Sequence, residues 1–340
     1  MKKLNKVNDN YTLLLLGMLA IVLVFFSILK FSTLWTVPTW QSMAMQLPEY
    51  GVMALGVTLC FISGNIDVSF VAVADFSAIL AAFYMIQATG ENASPEQVNL
   101  IIFVAVLIAI GIGALVGLFN GVLVSRLRLP AILATLATQM VFRGLSVVLT
   151  RGDAVTGIPG AYSEGGHANL FGFLPVPLLI FIIVFILIAF LLKYTTFGVK
   201  LYMIGANPKA AKLSAINVTR MINITFMLTG ICAAVGGLLM MSTMSSAKAD
   251  YGSSYLMTCI LIPVLAGVLP DGGIGKMINV LISILIIQVI SSCVNMFPEL
   301  NSYYGNLIWG AMLVIVLMAT TRLLSDTKTH KAGRIKLPKT

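Results

Sequence analysis

The sequence predicts an all-α integral membrane protein of about ten transmembrane segments, some broken or re-entrant, with both termini cytoplasmic. Three observations carry this. Apolar residues make up 59% of the 340-residue chain and charged residues 10%, against about 25% charged in an ordinary soluble domain. Thr12–Leu29, Ile101–Val124, Val176–Leu192 and Ile278–Ile290 hold no charge, and a bilayer-spanning helix needs about 20 mostly apolar residues. Lys and Arg fall almost wholly on one side of the segments so defined. The short alternating segments of an outer-membrane barrel are absent.

In chain order the segments are 12–29, 47–63, 67–88, 98–125, 130–149, 175–192, 221–243, 255–269, 275–296 and 303–321. Lys2, Lys3 and Lys6 precede the first, as in a secretory signal. The apolar stretch outruns a signal core and no small-x-small site stands near Lys30, so an uncleaved first span is expected. With the N-terminus inside, the external segments hold only Lys30, Arg151 and Lys248 among the strong bases, beside Glu49, Glu91, Glu96, Asp153, Glu164, Asp250 and Glu299. The remaining Lys and Arg, apart from Arg143 within a span, fall inside, as the positive-inside rule requires. Residues 1–11 are then a cytoplasmic tail, 12–321 a transmembrane domain with a long inner loop at 193–220, and 322–340 a basic cytoplasmic tail.

The net charge of +9 does not mark a nucleic-acid binder, because the bases sit in loops and tails rather than on a polar face interleaved with aromatics. Cys60, Cys232, Cys259 and Cys293 are scattered through apolar runs without metal-ligand spacing. They read as small core side chains. His167 and His330 fall on opposite sides of the membrane. Gly272-Gly273-Ile274-Gly275-Lys276 is not a phosphate loop: Pro270 stands at the first Gly and Met277 at the required Ser or Thr. No catalytic constellation, metal cluster or cofactor site is visible.

Four features remain. Gly113, Gly117 and Gly121 line one helix face beside Asn120, a surface for close packing within the chain or against a second copy. Gly64-Asn65-Ile66-Asp67-Val68-Ser69 breaks an apolar stretch, and Asp67 is placed to cap the following helix. Asp75 and Arg143 lie within spans, where ionisable groups pair or line a pathway. An Asp75–Arg143 pair is one arrangement that satisfies both. In the inner loop, 205–217 reads as a short helix capped by Asn207 with Pro208 at its first position. Ala210, Ala211, Leu213 and Ile216 give it a modest apolar side. Spacing alone favours a surface connector over a helix that docks on a partner. The Gly- and Pro-rich loop 150–174 is either a loose connection or a surface for an external partner.

At these residues the chain resembles the permease subunits of bacterial ABC importers for sugars, of the ribose, xylose and galactose type. Gly64, Ile66, Asp67 and Ser69 match one signature. Asn120-Gly121, the run Leu129–Leu136 and Arg143-Gly144-Leu145 match a second. Gly198, Gly205, Asn207-Pro208, Ala210-Ala211, Leu213-Ser214 and Ile216 match a third. Departures from the pattern include Asn65, Val71 and Ala215, each where the family has Gly, and Ala131 where it has Phe.

The resemblance implies an inner-membrane permease without its own nucleotide site. A second permease copy would complete the pathway within the membrane lipid, cytoplasmic ABC ATPase subunits would supply energy, and an extracytoplasmic solute-binding protein would deliver a monosaccharide. It further implies that Asn207, Pro208, Ala210, Ala211, Leu213 and Ile216 form the ATPase-coupling helix. A related permease for a nucleoside, amino acid or signal molecule is the alternative. An ion-coupled secondary transporter, with Asp67 and Asp75 as its acids, belongs to a different class.

Overall fold

The computed structural model describes residues 2–90, 93–170, 172, 174–297, 307, 310, 311 and 314. Twelve helices are named among them. They are α1 (Lys2–Leu34), α2 (Val37–Ile62), α3 (Phe70–Ala88), α4 (Pro95–Ser125), α5 (Ala131–Thr150), α6 (Gly160–His167), α7 (Val176–Tyr194), α8 (Thr196–Ala206), α9 (Pro208–Leu213), α10 (Val218–Met244), α11 (Leu256–Leu265) and α12 (Met277–Val294). A two-residue hairpin, β1 (Asn169–Leu170) with β2 (Leu174–Pro175), follows α6.

Among the described residues eight helices are long and apolar enough to cross a membrane: Tyr11–Leu34, Val37–Ile62, Phe70–Ala88, Pro95–Ser125, Ala131–Thr150, Val176–Tyr194, Val218–Met244 and Met277–Val294. The segment expected at 255–269 is instead a short apolar piece, Tyr251–Leu265. It opens with a 3-10 turn, Tyr251–Tyr255. The segment expected at 303–321 lies outside the described residues except for 307, 310, 311 and 314, as does the tail 322–340. α1 reaches back to Lys2, so most of the expected N-terminal tail is helical.

Local chemistry sets several boundaries. Ser94 caps α4 in a reciprocal box with Gln97: the Gln97 N–H donates to Ser94 Oγ at 3.4 Å and the Ser94 N–H to Gln97 Oε1 at 2.9 Å. Pro95 occupies the first turn, where its missing N–H costs nothing. Asn217 caps α10 through Arg220 N at 2.9 Å. α2 begins twelve positions before Glu49 and runs through Pro48. Glu49, counted with the external acids at the outer end of the expected 47–63 span, is therefore well inside a membrane helix and buried.

The bundle is built around α10, which meets a different neighbour through each of three glycines. A Cβ on Gly230 would run into the α4 backbone at Gly113, one on Gly236 into Met53 and the Glu49 carbonyl of α2, and one on Gly237 into Ala74 of α3. The α4 glycines answer from their side: Gly113 meets Gly230, Gly117 meets Phe226, and a Cβ on Gly121 would lie 2.8 Å from Asn223 Cα. The small face expected on α4 thus packs within the chain. α1 lies against α12 and the end of α11, tied to α11 by Tyr11 OH on Leu265 O at 2.8 Å and to α12 by Thr12 Oγ1 on Asn279 Oδ1 at 2.7 Å. The outward faces of α4, α5 and α7 expose large apolar side chains, as lipid-facing surfaces do.

Gly117→Leu is expected to separate α4 from α10, because its Cβ would collide with backbone that cannot yield. Overpacking of this kind costs at least about 2 kcal/mol. Size-exclusion chromatography in detergent should show loss of the monodisperse permease. Gly144→Ala, where nothing lies within 4 Å, should behave as wild type.

Candidate functional site

α2 ends in a Schellman motif. Asn65 N donates to Cys60 O at 3.0 Å and Gly64 N to Phe61 O at 2.9 Å. Gly64 takes φ +79°, the left-handed conformation that glycine adopts without a Cβ penalty. Asn65, which departs from the family pattern, leaves this turn intact.

The chain then crosses to α3 through a buried polar knot. Asp67 Oδ1 accepts from Ser69 N at 2.8 Å and from Ser69 Oγ at 2.6 Å. Asn120 Nδ2 of α4 donates to Ser69 Oγ at 2.8 Å. Val68 N donates to Thr135 Oγ1 of α5 at 3.2 Å. Asp67, Ser69 and Asn120 are thus brought together, and the Asp67 bonds fall on Ser69, the residue just before α3, which makes no side-chain cap of its own. Thr135, which the sequence offered only inside a longer matching run, joins them. All four are buried.

Asp75 is not paired with Arg143. Its Oδ1 accepts from the backbone N of Gly252 at 2.9 Å, and Arg143 lies exposed on α5. Among the described residues Lys248 and Asp250 form an ion pair. Glu49 Oε2 accepts from Tyr255 OH at 2.6 Å, and Tyr50 OH beside it donates to Gln288 Oε1 at 2.6 Å. No cluster of three or more His, Cys, Asp or Glu gathers among the described residues.

Next to the Gly64 turn, three backbones meet. Gly273 N donates to Ile62 O at 2.9 Å. A Cβ on Gly272 would lie 2.6 Å from Gly64 N and 2.7 Å from Gly205 Cα. The glycine-rich turn that imitates a phosphate loop therefore packs α8 against the end of α2.

From Gly205 the chain enters α9. Asn207 Oδ1 accepts from Lys209 N at 3.0 Å and Ala210 N at 3.1 Å, with Pro208 in the first turn. The expected apolar side divides. Ala211 is 1% exposed and Ile216 packs on the core, whereas Ala210 is exposed and Leu213 is 90% exposed. A cleft of about 350 Å³ beside α9 is lined by Arg128, Lys209 and Lys212 among others.

The end of α9 is a second Schellman motif, with Ile216 N on Ala211 O at 3.2 Å and Ala215 N on Lys212 O at 3.1 Å. Here Ala215 takes φ +59°, where the family pattern has Gly. Ala215→Gly is therefore expected to stabilise this end by about 1 kcal/mol, the left-handed penalty of a Cβ. Hydrogen exchange of the Ser214–Ile216 amides should slow; faster exchange would show that the alanine carries no strain.

Residues 40–317 match the family described as branched-chain amino acid transport system / permease component. The chain is 31% identical over 275 residues to the ribose import permease protein RbsC of Bacillus subtilis (strain 168), covering 80% of this chain and 81% of that protein. It is 28% identical over 274 residues to the autoinducer 2 import system permease protein LsrD of Yersinia pseudotuberculosis, covering 79% and 78%. Among solved structures, a metal-chelate type ABC transporter in an inward-facing conformation shares the fold, with a TM-score of 0.50, 16% identity, and coverage of 93% of this chain and 99% of that one. By these matches the chain belongs to the permease-component family of bacterial ABC importers, multi-pass subunits of the inner membrane whose ATPase is a separate chain.

Proposed function

We propose that this permease imports a monosaccharide, fed by an extracytoplasmic binding protein and driven by cytoplasmic ATPase subunits that push on α8 and α9. The observation that carries the coupling role is Leu213, an apolar side chain 90% exposed on a helix capped at both ends. Such a group is a candidate for burial against a partner. The Gly205–Ile62–Gly273 contact joins this segment to α2, so a displacement of α9 reaches the Gly64–Ser69 knot. In this reading 193–220 is the coupling loop of a permease domain spanning 12–321, and both tails are cytoplasmic.

Asp67 has a structural role in this reading, since its Oδ1 accepts from both the N–H and the hydroxyl of Ser69. That weighs against ion coupling. Arg143, exposed on a membrane helix, calls for water or a partner rather than lipid. This supports α5 as a wall of the pathway that a second permease copy completes. The sugar assignment follows the ribose permease of Bacillus subtilis, ahead of the amino acids in the family description and the signal molecule of the Yersinia relative.

Burying a leucine contributes about 1.5–3 kcal/mol, and a carboxylate in its place adds a desolvation cost. Leu213→Asp should therefore leave permease levels in the membrane near normal while co-purification with the ATPase falls sharply. Unchanged co-purification would make α9 a plain connector. For the substrate, vesicles holding the complete complex should accumulate radiolabelled ribose when ATP is supplied, with the proton gradient collapsed. Accumulation of leucine instead would move the substrate to amino acids, and uptake that dies with the gradient would sink the ATP-driven reading.

A further inference from the structure

We propose that Glu49 and Asp75 are positioning residues for transport, together latching the Tyr251–Tyr255 turn and through it tying the 150–174 loop to α2. The import reading above uses neither acid. Both are buried, 1% and 2% exposed, on different helices, and both carboxylates take a hydrogen bond from the same five-residue turn. Tyr255 OH reaches Glu49 Oε2 at 2.6 Å and Gly252 N reaches Asp75 Oδ1 at 2.9 Å. The turn sits flush on α3: a Cβ on Gly252 would be 3.0 Å from Asp75 Oδ1 and 3.1 Å from Val71 O.

The turn is one link in a continuous set of contacts. Just before it, Ala247 and Val155 exchange two backbone hydrogen bonds, at 2.8 and 3.0 Å. Ser246 Oγ pairs with Tyr251 OH at 3.0 Å. Tyr162 of α6 donates to Leu238 O of α10 at 2.8 Å. The 150–174 loop is thereby fastened to the lead-in of α11. On the far side, α2 carries Glu49 and ends at Ile62, which meets Gly273 and Gly205. The rod between Glu49 and Ile62 is about 20 Å long. One helix so bears the latch at its middle and the α8 contact at its C-terminal end.

The chemistry of the latch favours release over permanence. A purely structural tie could be made by neutral groups, and ionisable side chains in membrane segments are costly and kept where they serve a function. The Tyr255–Glu49 bond is short, as carboxylate bonds are. Glu49 Oε1 is buried and makes no hydrogen bond of ordinary geometry among the described residues, with the Thr243 hydroxyl beside the carboxylate, so it offers an acceptor that this or another donor can take when the turn shifts. Docking of a partner on the 150–174 loop would pull on Ala247, move the turn, and change the hold on α2.

The proposal rests on the importer reading, and the wild-type complex separates the two. If permease, ATPase and ribose-loaded binding protein in vesicles show no stimulated ATP hydrolysis, the importer reading fails before any variant is compared. Given stimulation, Tyr255→Phe removes one oxygen and should lower stimulated hydrolysis about tenfold, the scale of one lost carboxylate hydrogen bond. Basal hydrolysis should stay unchanged. Glu49→Leu and Asp75→Leu should behave likewise. Glu49→Gln and Asp75→Asn, which keep the acceptor oxygen, should retain most of the stimulation. Unchanged stimulation in Tyr255→Phe overturns the latch. So does a parallel fall of basal and stimulated hydrolysis, which marks a scaffold, or a loss in Glu49→Gln as deep as in Glu49→Leu.

Discussion

Backbone-to-backbone approach around α10 is the constraint on which this architecture depends. In hydrocarbon, burying a leucine against a leucine gains little over burying it in lipid, so helices associate through close van der Waals contact and hydrogen bonds. Gly230, Gly236 and Gly237 put α4, α2 and α3 within that range on separate faces of one helix. The elements that carry chemistry hang from this hub. α2 brings Glu49 and the Gly64 turn, α3 brings Ser69 and Asp75, and α4 brings Asn120. Loosening the hub would move all of them at once.

The polar groups inside the bundle follow a matching economy. Each buried acid is matched to a donor on an irregular stretch of backbone rather than to a base: Asp67 to the start of α3, Asp75 and Glu49 to the turn before α11. Irregular backbone at membrane depth must have its N–H groups satisfied by protein; Asp67 and Asp75 do that for Ser69 and Gly252, and Glu49 holds the same turn through the Tyr255 hydroxyl. The broken segments and the buried acids are therefore one feature seen from two sides. A segment held by two or three hydrogen bonds is also easier to move than a full helix.

Much of this was legible in residues. Uncharged runs fixed the long spans, the Gly113–Gly117–Gly121 spacing marked a close-packing face, and Asn207-Pro208 announced α9. The burial of Glu49 was not legible, because it stood at the outer end of the expected 47–63 span among the external acids and its hydrogen-bond partner Tyr255 lies 206 residues away in the chain. The partner of Asp75 was hidden for a different reason. It is a backbone N–H, which no side chain advertises, so the search for a counter-ion led to Arg143. The left-handed turn after α9 was masked by an alanine where glycine would have signalled it. Leu213 and Ala211 belong to one apolar side by spacing, and only the packing of α9 on the bundle separates them.

The four cysteines are free and buried, at Cys60, Cys232, Cys259 and Cys293. Water-borne maleimides and spin labels do not reach such thiols, which makes the unaltered protein a silent background for reporter chemistry. A fluorophore or nitroxide installed on α9, or on the 150–174 loop, would then be the only bright point in the permease. Motion at either face could be followed in real time without stripping sulfur from the core that α2, α10, α11 and α12 share.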